Sequence, residues 1–149
     1  MIGAMATDLD ATVEERLRRE GQRYTSGRRA LVEALGRAST PVAATDLAPG
    51  MPLSSAYRNL AVLEQAGVVR RVITEDDFAR YELAEDLTSH HHHLICSSCG
   101  RVEDVQVPPA LERDIDRSLD RLARKAGFAS VSHRLDLIGT CADCAAAGR

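Results

Sequence analysis

All five His and all four Cys of the 149-residue chain lie between His90 and Cys144. Cys96-Ser-Ser-Cys99 and Cys141-Ala-Asp-Cys144 form two CxxC knuckles. Two residues between thiols let both sulfurs turn toward one tetrahedral cation, and two such pairs complete a closed all-thiolate zinc site. Gly100 follows the first pair directly, where a tight knuckle turn favours glycine. Disulfides do not suit a chain read as cytoplasmic, and redox thiols would not need two matched pairs. The expectation is a structural zinc held by Cys96, Cys99, Cys141 and Cys144.

His90-His91-His92-His93 leads through Leu94-Ile95 into the first knuckle. Its place inside the chain argues against a purification tag. On a strand, side chains alternate faces, so His90 and His92 point one way and His91 and His93 the other. One run can thus seed two separate sites; the plainer reading is a solvated polar strand edge. A second strand over Val102-Glu103-Asp104-Val105 places acids close by. Pro108-Pro109 starts a helix with Leu111, Ile115, Leu119, Leu122 and Ala126 as its apolar stripe, Glu112 beside it, and Gly127 at its end. Phe128 to Ile138 reads as a third strand, with His133 on the face of Val131, Leu135 and Leu137. A lone His there is usually a core residue, but His90 and His92 need partners.

The ligand-free first part supplies helices and then a hairpin. Ala11 to Glu20 is helical, with Val13 and Leu17 spaced by four and Gly21 as a stop. Thr25 or Ser26 caps a second helix to about Ala38, with Ala30, Leu31, Ala34 and Leu35 as its buried stripe. Thr40-Pro41 breaks it, and a short helix covers Ala44 to Ala48 before the Pro49-Gly50-Met51-Pro52 turn. Ser54 or Ser55 caps a helix through Ala66, with Leu60 and Leu63 inward and Gly67 closing it. Val68 to Ile73 and Phe78 to Leu83 are strand-like, with a turn at Glu75-Asp76-Asp77. This is the order of a winged helix-turn-helix, whose helix after the turn enters the major groove. Tyr57 can touch a thymine methyl or a phosphate, and Arg58 a phosphate or guanine. The alternative is an interaction module with a core Tyr and a solvated Arg.

Composition bounds these readings. The chain is 44% hydrophobic but only 3% aromatic, with no Trp, so its core rests on aliphatic side chains. No apolar run approaches the roughly 20 residues that cross a membrane, and Met1-Ile-Gly-Ala-Met5 lacks the flank of a signal peptide. A cytoplasmic protein is expected. The formal charge of −3 opposes nucleic-acid binding weakly, yet Arg16 to Arg37 carries seven Arg against two Glu.

Gly21-Gln-Arg-Tyr-Thr25 with Arg28, Ser55-Ala-Tyr-Arg-Asn-Leu60, His90 to Gly100 and Gly139-Thr-Cys-Ala-Asp-Cys144 together resemble the ferric uptake regulator family. The resemblance runs from about residue 14 to 144. It implies an α+β chain that dimerises and represses transcription in response to metal. Residues 1–84 would be a winged-helix DNA-binding domain, 85–89 a hinge, and 90–149 an α/β dimerisation domain with a three-stranded antiparallel sheet. On this pattern Glu82, His91, His93 and Asp104 match the regulatory metal site at the hinge. His90, His92, Glu112 and His133 match a second metal site, and the four Cys the structural zinc. Arg23, Ser55, Tyr57 and Arg58 fall on DNA-contacting positions. The sensed cation would be Zn, Fe, Mn or Ni, and the partner a palindromic DNA operator.

Three features depart from the family's pattern. The recognition motif carries Ser55-Ala56 before Tyr57-Arg58 where Thr-Val is usual, and the segment from Thr45 to Ser54 is short. The family commonly places a His from the DNA-binding domain in the sensing site, where this chain has Thr40-Pro41. Glu82 is then the foremost ligand before residue 90. The rival readings are a zinc hydrolase, for which no HExxH or similar motif appears, a constitutive DNA-binding module with only structural zinc, and a peroxide sensor acting through iron.

Overall fold

The computed structural model describes residues 2–74 and 79–149, with side chains from Asp8 onward. Its N-terminal half begins with α1 (Ile2–Arg19) and α2 (Ser26–Arg37), then β1 (Val42–Ala43) and the one-turn α3 (Ala44–Leu47). Next come α4 (Leu53–Gln65), β2 (Val69–Val72) and β3 (Arg80–Leu83). A 3-10 turn at Glu85–Leu87 leads to β4 (His92–Cys96), β5 (Val102–Val105), α5 (Pro109–Lys125), β6 (Asp136–Gly139) and α6 (Ala142–Ala146).

Helical spacing of apolar residues builds the N-terminal core. Val13 and Leu17 of α1, Leu31, Val32 and Leu35 of α2, and Leu60 and Leu63 of α4 close against Val68, Val69, Tyr81 and Leu83. Thr25 caps α2, its hydroxyl accepting from the Arg28 amide at 3.3 Å. Val32 takes the place expected for Ala30, because the buried face is rotated toward the larger side chain. The cap of α4 also differs from expectation. Neither Ser54 nor Ser55 caps it; Pro52 stands at the N-cap and its carbonyl accepts from Ser55 and Ala56. Proline suits a helix start because its φ is preset and its missing N–H would find no partner there.

Antiparallel β2 and β3 form the wing, with β1 added on the far side of β3. The turn expected at Glu75-Asp76-Asp77 and the strand start at Phe78 lie outside the described residues. The second sheet has the order β5-β4-β6. Its β4–β5 pair is antiparallel as expected, but β6 runs parallel to β4. A parallel neighbour needs a long crossover connection, which α5 supplies. The third strand is also shorter than Phe128 to Ile138: ladder pairing begins at Asp136, and Ser130 turns the approach with a φ of +53°.

The halves meet where Val72 of β2 packs with Ile95 and Val102 of the second sheet. Arg16 of α1 bonds the Gly67 carbonyl at 2.6 Å and pairs with Asp86 in the 3-10 turn. The apolar stripe read on α5 is left uncovered within this chain, since α5 buries no residue. Leu122 is 65%, Phe128 66% and Ile138 62% exposed.

Candidate metal centres and nucleic-acid interface

Three clusters of ligand-type side chains converge, each with its donor atoms within 4.8 Å of one another. The first comprises Cys96, Cys99, Cys141 and Cys144. β6 beside β4 carries the second knuckle to the first, and Ser97 donates its amide to the Gly139 carbonyl at 2.8 Å. Gly100, at a φ of +71°, closes the first turn. The Cys141 amide donates to Cys96 Sγ at 3.3 Å, and Cys99 and Cys141 sulfurs lie 3.8 Å apart. Backbone amides of Cys141 and Cys99 draw the Cys96 thiol down to about 6, while neighbouring thiols push Cys144 up to about 12. One thiolate forms readily and further negative charge is resisted. A divalent cation removes that resistance, and four soft sulfurs suit zinc.

The second cluster, Glu82, His91, His93 and Asp104, joins the two halves. Glu82 comes from the wing strand β3, His93 from β4 and Asp104 from β5, with His93 and Asp104 paired in register. Nε2 of His91 and of His93 each lie 3.1 Å from Glu82 Oε2, and Asp104 Oδ2 is 3.9 Å from His91 Nε2. Burial acts to raise the Glu82 pKa, but hydrogen bonds from His93, Arg70 and His91 outweigh it and hold the carboxyl at about 2. Burial opposes charge on His91, yet the Ser89 carbonyl and Glu82 leave its pKa raised; Glu82 and Asp136 do the same for His93. Asp104 is raised by burial.

Alternation along the His run sorts the remaining ligands. His90, His92, Glu112 and His133 form the third cluster. Glu112 Oε1 lies 3.0 Å from His90 Nε2, and its Oε2 3.0 Å from His92 Nε2. His133 arrives on the loop before β6 rather than on a strand. Its Nε2 is 2.7 Å from Glu112 Oε1 but makes no hydrogen bond, although it is buried. Nitrogen and oxygen are aimed at common space rather than at each other, as ligands of one ion would be. His92 is 1% exposed, so its alternative as a solvated strand edge fails.

Sequence reasoning missed the residues that hold these ligands. Arg70 lies across the β2–β3 ladder from Glu82 and donates from Nε to Oε1 at 2.7 Å, leaving Oε2 for the two His. Asp136, in register with His93 on β6, accepts from its Nδ1 at 3.0 Å. Asp116 lies 3.2 Å from His133 Nδ1. Register would have exposed the first two, but it was fixed only by the fold. A cavity of about 650 Å³ adjoins the hinge cluster, with Glu82, His91, Asp104 and Thr40 among its lining residues. Thr40 therefore shares a cavity with three of the cluster's residues.

The candidate DNA-contacting residues are placed separately from all three clusters. Tyr57 and Arg58 are exposed on α4, Ser55 is half-buried near the start of that helix, and Arg23 is exposed before α2. Arg28 ties these segments together, donating to the Arg23 carbonyl at 2.6 Å and to Asn59 Oδ1 at 3.2 Å.

Comparison with known proteins accords with this fold. The peroxide operon regulator of Bacillus subtilis is 30% identical over 137 residues, covering 87% of this chain and 89% of that protein. The Helicobacter pylori ferric uptake regulator superposes with a TM-score of 0.74 over 94% of this chain and 93% of that one, at 22% identity. The Pseudomonas aeruginosa ferric uptake regulator, whose structure is described with manganese, gives 0.68 at 25% identity over 86% and 96%. The model of the ferric uptake regulator family matches residues 19–138. The chain belongs to the ferric uptake regulator family.

Proposed function

We propose that this chain is a metal-dependent DNA-binding repressor that acts as a homodimer on a palindromic operator and controls genes of metal uptake or homeostasis. Residues 1–84 serve as the DNA-binding domain, 85–89 as the hinge and 90–149 as the dimerisation and metal-binding domain. One observation carries the reading: Glu82 of the wing meets His91 and His93 of the second half at one point, with Nε2 to Oε2 distances of 3.1 Å.

A divalent cation at Glu82, His91, His93 and Asp104 supplies a bridge between the two halves. The protein residues set what that bridge fixes. Arg70 orients Glu82, Asp136 orients His93, and the wing then holds one angle to the second sheet. In a dimer, that angle sets the separation of the two α4 helices, which must suit half-sites about one helical turn apart. Tyr57, Arg58, Ser55 and Arg23 are the DNA-contacting residues of this reading. The ion acts through preferential binding to the closed arrangement, about 1.4 kcal/mol for each tenfold preference. Mixed carboxylate and imidazole ligation accepts Zn, Fe, Mn or Ni. Cys96, Cys99, Cys141 and Cys144 hold a structural zinc, and His90, His92, Glu112 and His133 a further ion.

The test is binding of the chain to its own promoter region, by fluorescence anisotropy, during titration with Zn, Fe(II), Mn and Ni. At least one metal should tighten binding by about 100-fold, and His91→Ala with His93→Ala should abolish that gain while the dimer persists. No metal response in the zinc-filled wild type would leave a constitutive regulator. The likeness to the Bacillus subtilis peroxide regulator favours one further reading. Peroxide treatment of the Fe(II)-loaded chain should then add oxygen to His91 or His93, visible as a 16 Da gain by mass spectrometry; an unmodified peptide removes that reading.

A further inference from the structure

The cluster of His90, His92, Glu112 and His133 has a neighbour that its ligand set does not include. Glu85 lies in the 3-10 turn of the hinge, and its Oε1 contacts His90 Nδ1. His90 thus has a carboxylate beside each ring nitrogen, with Nε2 3.0 Å from Glu112 Oε1. His133 has the same arrangement, with Asp116 on Nδ1 and Glu112 on Nε2. An imidazole that donates Nδ1–H to a carboxylate presents its Nε2 lone pair toward a cation, with the ring orientation fixed.

The position of Glu85 gives this contact a second consequence. Three residues upstream, Glu82 enters the hinge cluster; downstream, His90 and His92 alternate with His91 and His93 of that same cluster. The hinge thus leaves one cluster at Glu82 and touches the other at Glu85, before β4 supplies ligands to both. Side chains of Glu85 and His90 are 28% and 40% exposed, so their ion pair adds little to stability by itself. Its effect is on orientation. We propose that Glu85 is a positioning residue that sets His90 for the second cluster and thereby couples occupancy of that cluster to the hinge.

The proposal rests on the reading of both clusters as cation sites, and the test separates the two. Full-length chain with zinc in the four-Cys site is titrated with Co(II), whose ligand-field absorbance reports each site. In a His91→Ala, His93→Ala background only the second cluster remains. His133→Ala in that background should abolish the absorbance; if it changes nothing, the cluster does not bind the cation and the underlying reading fails. With the cluster confirmed, Glu85→Ala should weaken Co(II) by about 10- to 100-fold. Glu85→Gln keeps a hydrogen-bond acceptor and should fall between wild type and Glu85→Ala. Gln as weak as Ala would mean that charge alone acts and would overturn positioning, as would wild-type affinity in Glu85→Ala. With the hinge ligands intact, filling the second cluster should tighten the hinge site by about fivefold or more. Glu85→Ala should remove that gain, and coupling that survives in Glu85→Ala overturns the link to the hinge.

Discussion

The two halves of this chain reach order by different routes. The N-terminal half buries aliphatic side chains from α1, α2 and α4 against its wing, with Val13, Leu17, Leu31, Leu60 and Leu63 wholly enclosed. The C-terminal half has only Ile95 and Val102 in its small cluster, sharing it with Val72 of the wing. It exposes the apolar stripe of α5 and much of β6. Four thiols, five His and several carboxylates stand where a core would otherwise be. The first half is held by hydrophobic burial; in the second, ligand-type side chains stand beside apolar ones that this chain leaves exposed. The two halves meet at Glu82, which the wing contributes to the cluster with His91, His93 and Asp104.

The largest effect expected from this contrast concerns zinc. Structural zinc in small domains contributes about 10–16 kcal/mol of apparent binding free energy. Replacing Cys96 or Cys144 by Ser should collapse the C-terminal amide signals in a nuclear magnetic resonance spectrum. Signals from α2 and α4 should keep their folded positions. A C-terminal half that stays folded without zinc would break the contrast, and loss of both halves together would show that they fold as one unit.

A smaller effect should follow from the exposed stripe. Large apolar side chains left exposed in one part of a fold mark an interface. Leu122→Asp with Leu137→Asp places charge there without touching a metal ligand. The dimer dissociation constant, by analytical ultracentrifugation, should rise at least about 100-fold, or about 3 kcal/mol. The melting of the N-terminal half should stay within about 2 °C. An unaltered dimer would move the interface elsewhere.

How far the sequence disclosed this arrangement depends on the range of the signal. Helices of the N-terminal half were legible because Val13/Leu17 and Leu31/Leu35 repeat at local spacing. The sorting of His90 and His92 from His91 and His93 was legible too, since strand alternation is a local rule. The parallel β4–β6 pairing was not, because it depends on a crossover through α5. Arg70 and Asp136 were hidden for the same reason: each meets its His or Glu partner only through ladder register. Glu85 was passed over because nothing in its immediate neighbourhood distinguishes a ligand-orienting acid from a solvated hinge acid. The α5 stripe was legible as apolar but its partner was not, since periodicity says which face is apolar and not which molecule covers it.

The smallest effect is a pH dependence confined to the hinge cluster. In the metal-free chain, His91 and His93 have pKa values raised above the ordinary 6.5, and Glu82 is held at about 2 rather than 4.5. A raised His contributes stability that is complete below its unfolded pKa and is lost as pH rises through its folded value. The lowered Glu82 contributes above its unfolded pKa and loses that contribution as pH falls toward 2. The metal-free clamp should therefore hold best between about pH 4.5 and 6.5 and loosen above that range. A cation must displace the His protons, so its affinity should rise with pH, by up to about tenfold per unit for each proton displaced. Calorimetric titration from pH 6 to 8 in buffers of different ionisation enthalpy measures both the affinity and the protons released. His91→Ala with His93→Ala should remove the proton release at this site. The melting of the N-terminal core, whose buried cluster is apolar apart from Tyr81, should be nearly flat over the same interval. A hinge affinity equally flat would mean that the imidazoles bind the ion without giving up protons, contrary to the pKa shifts that Glu82 imposes on them.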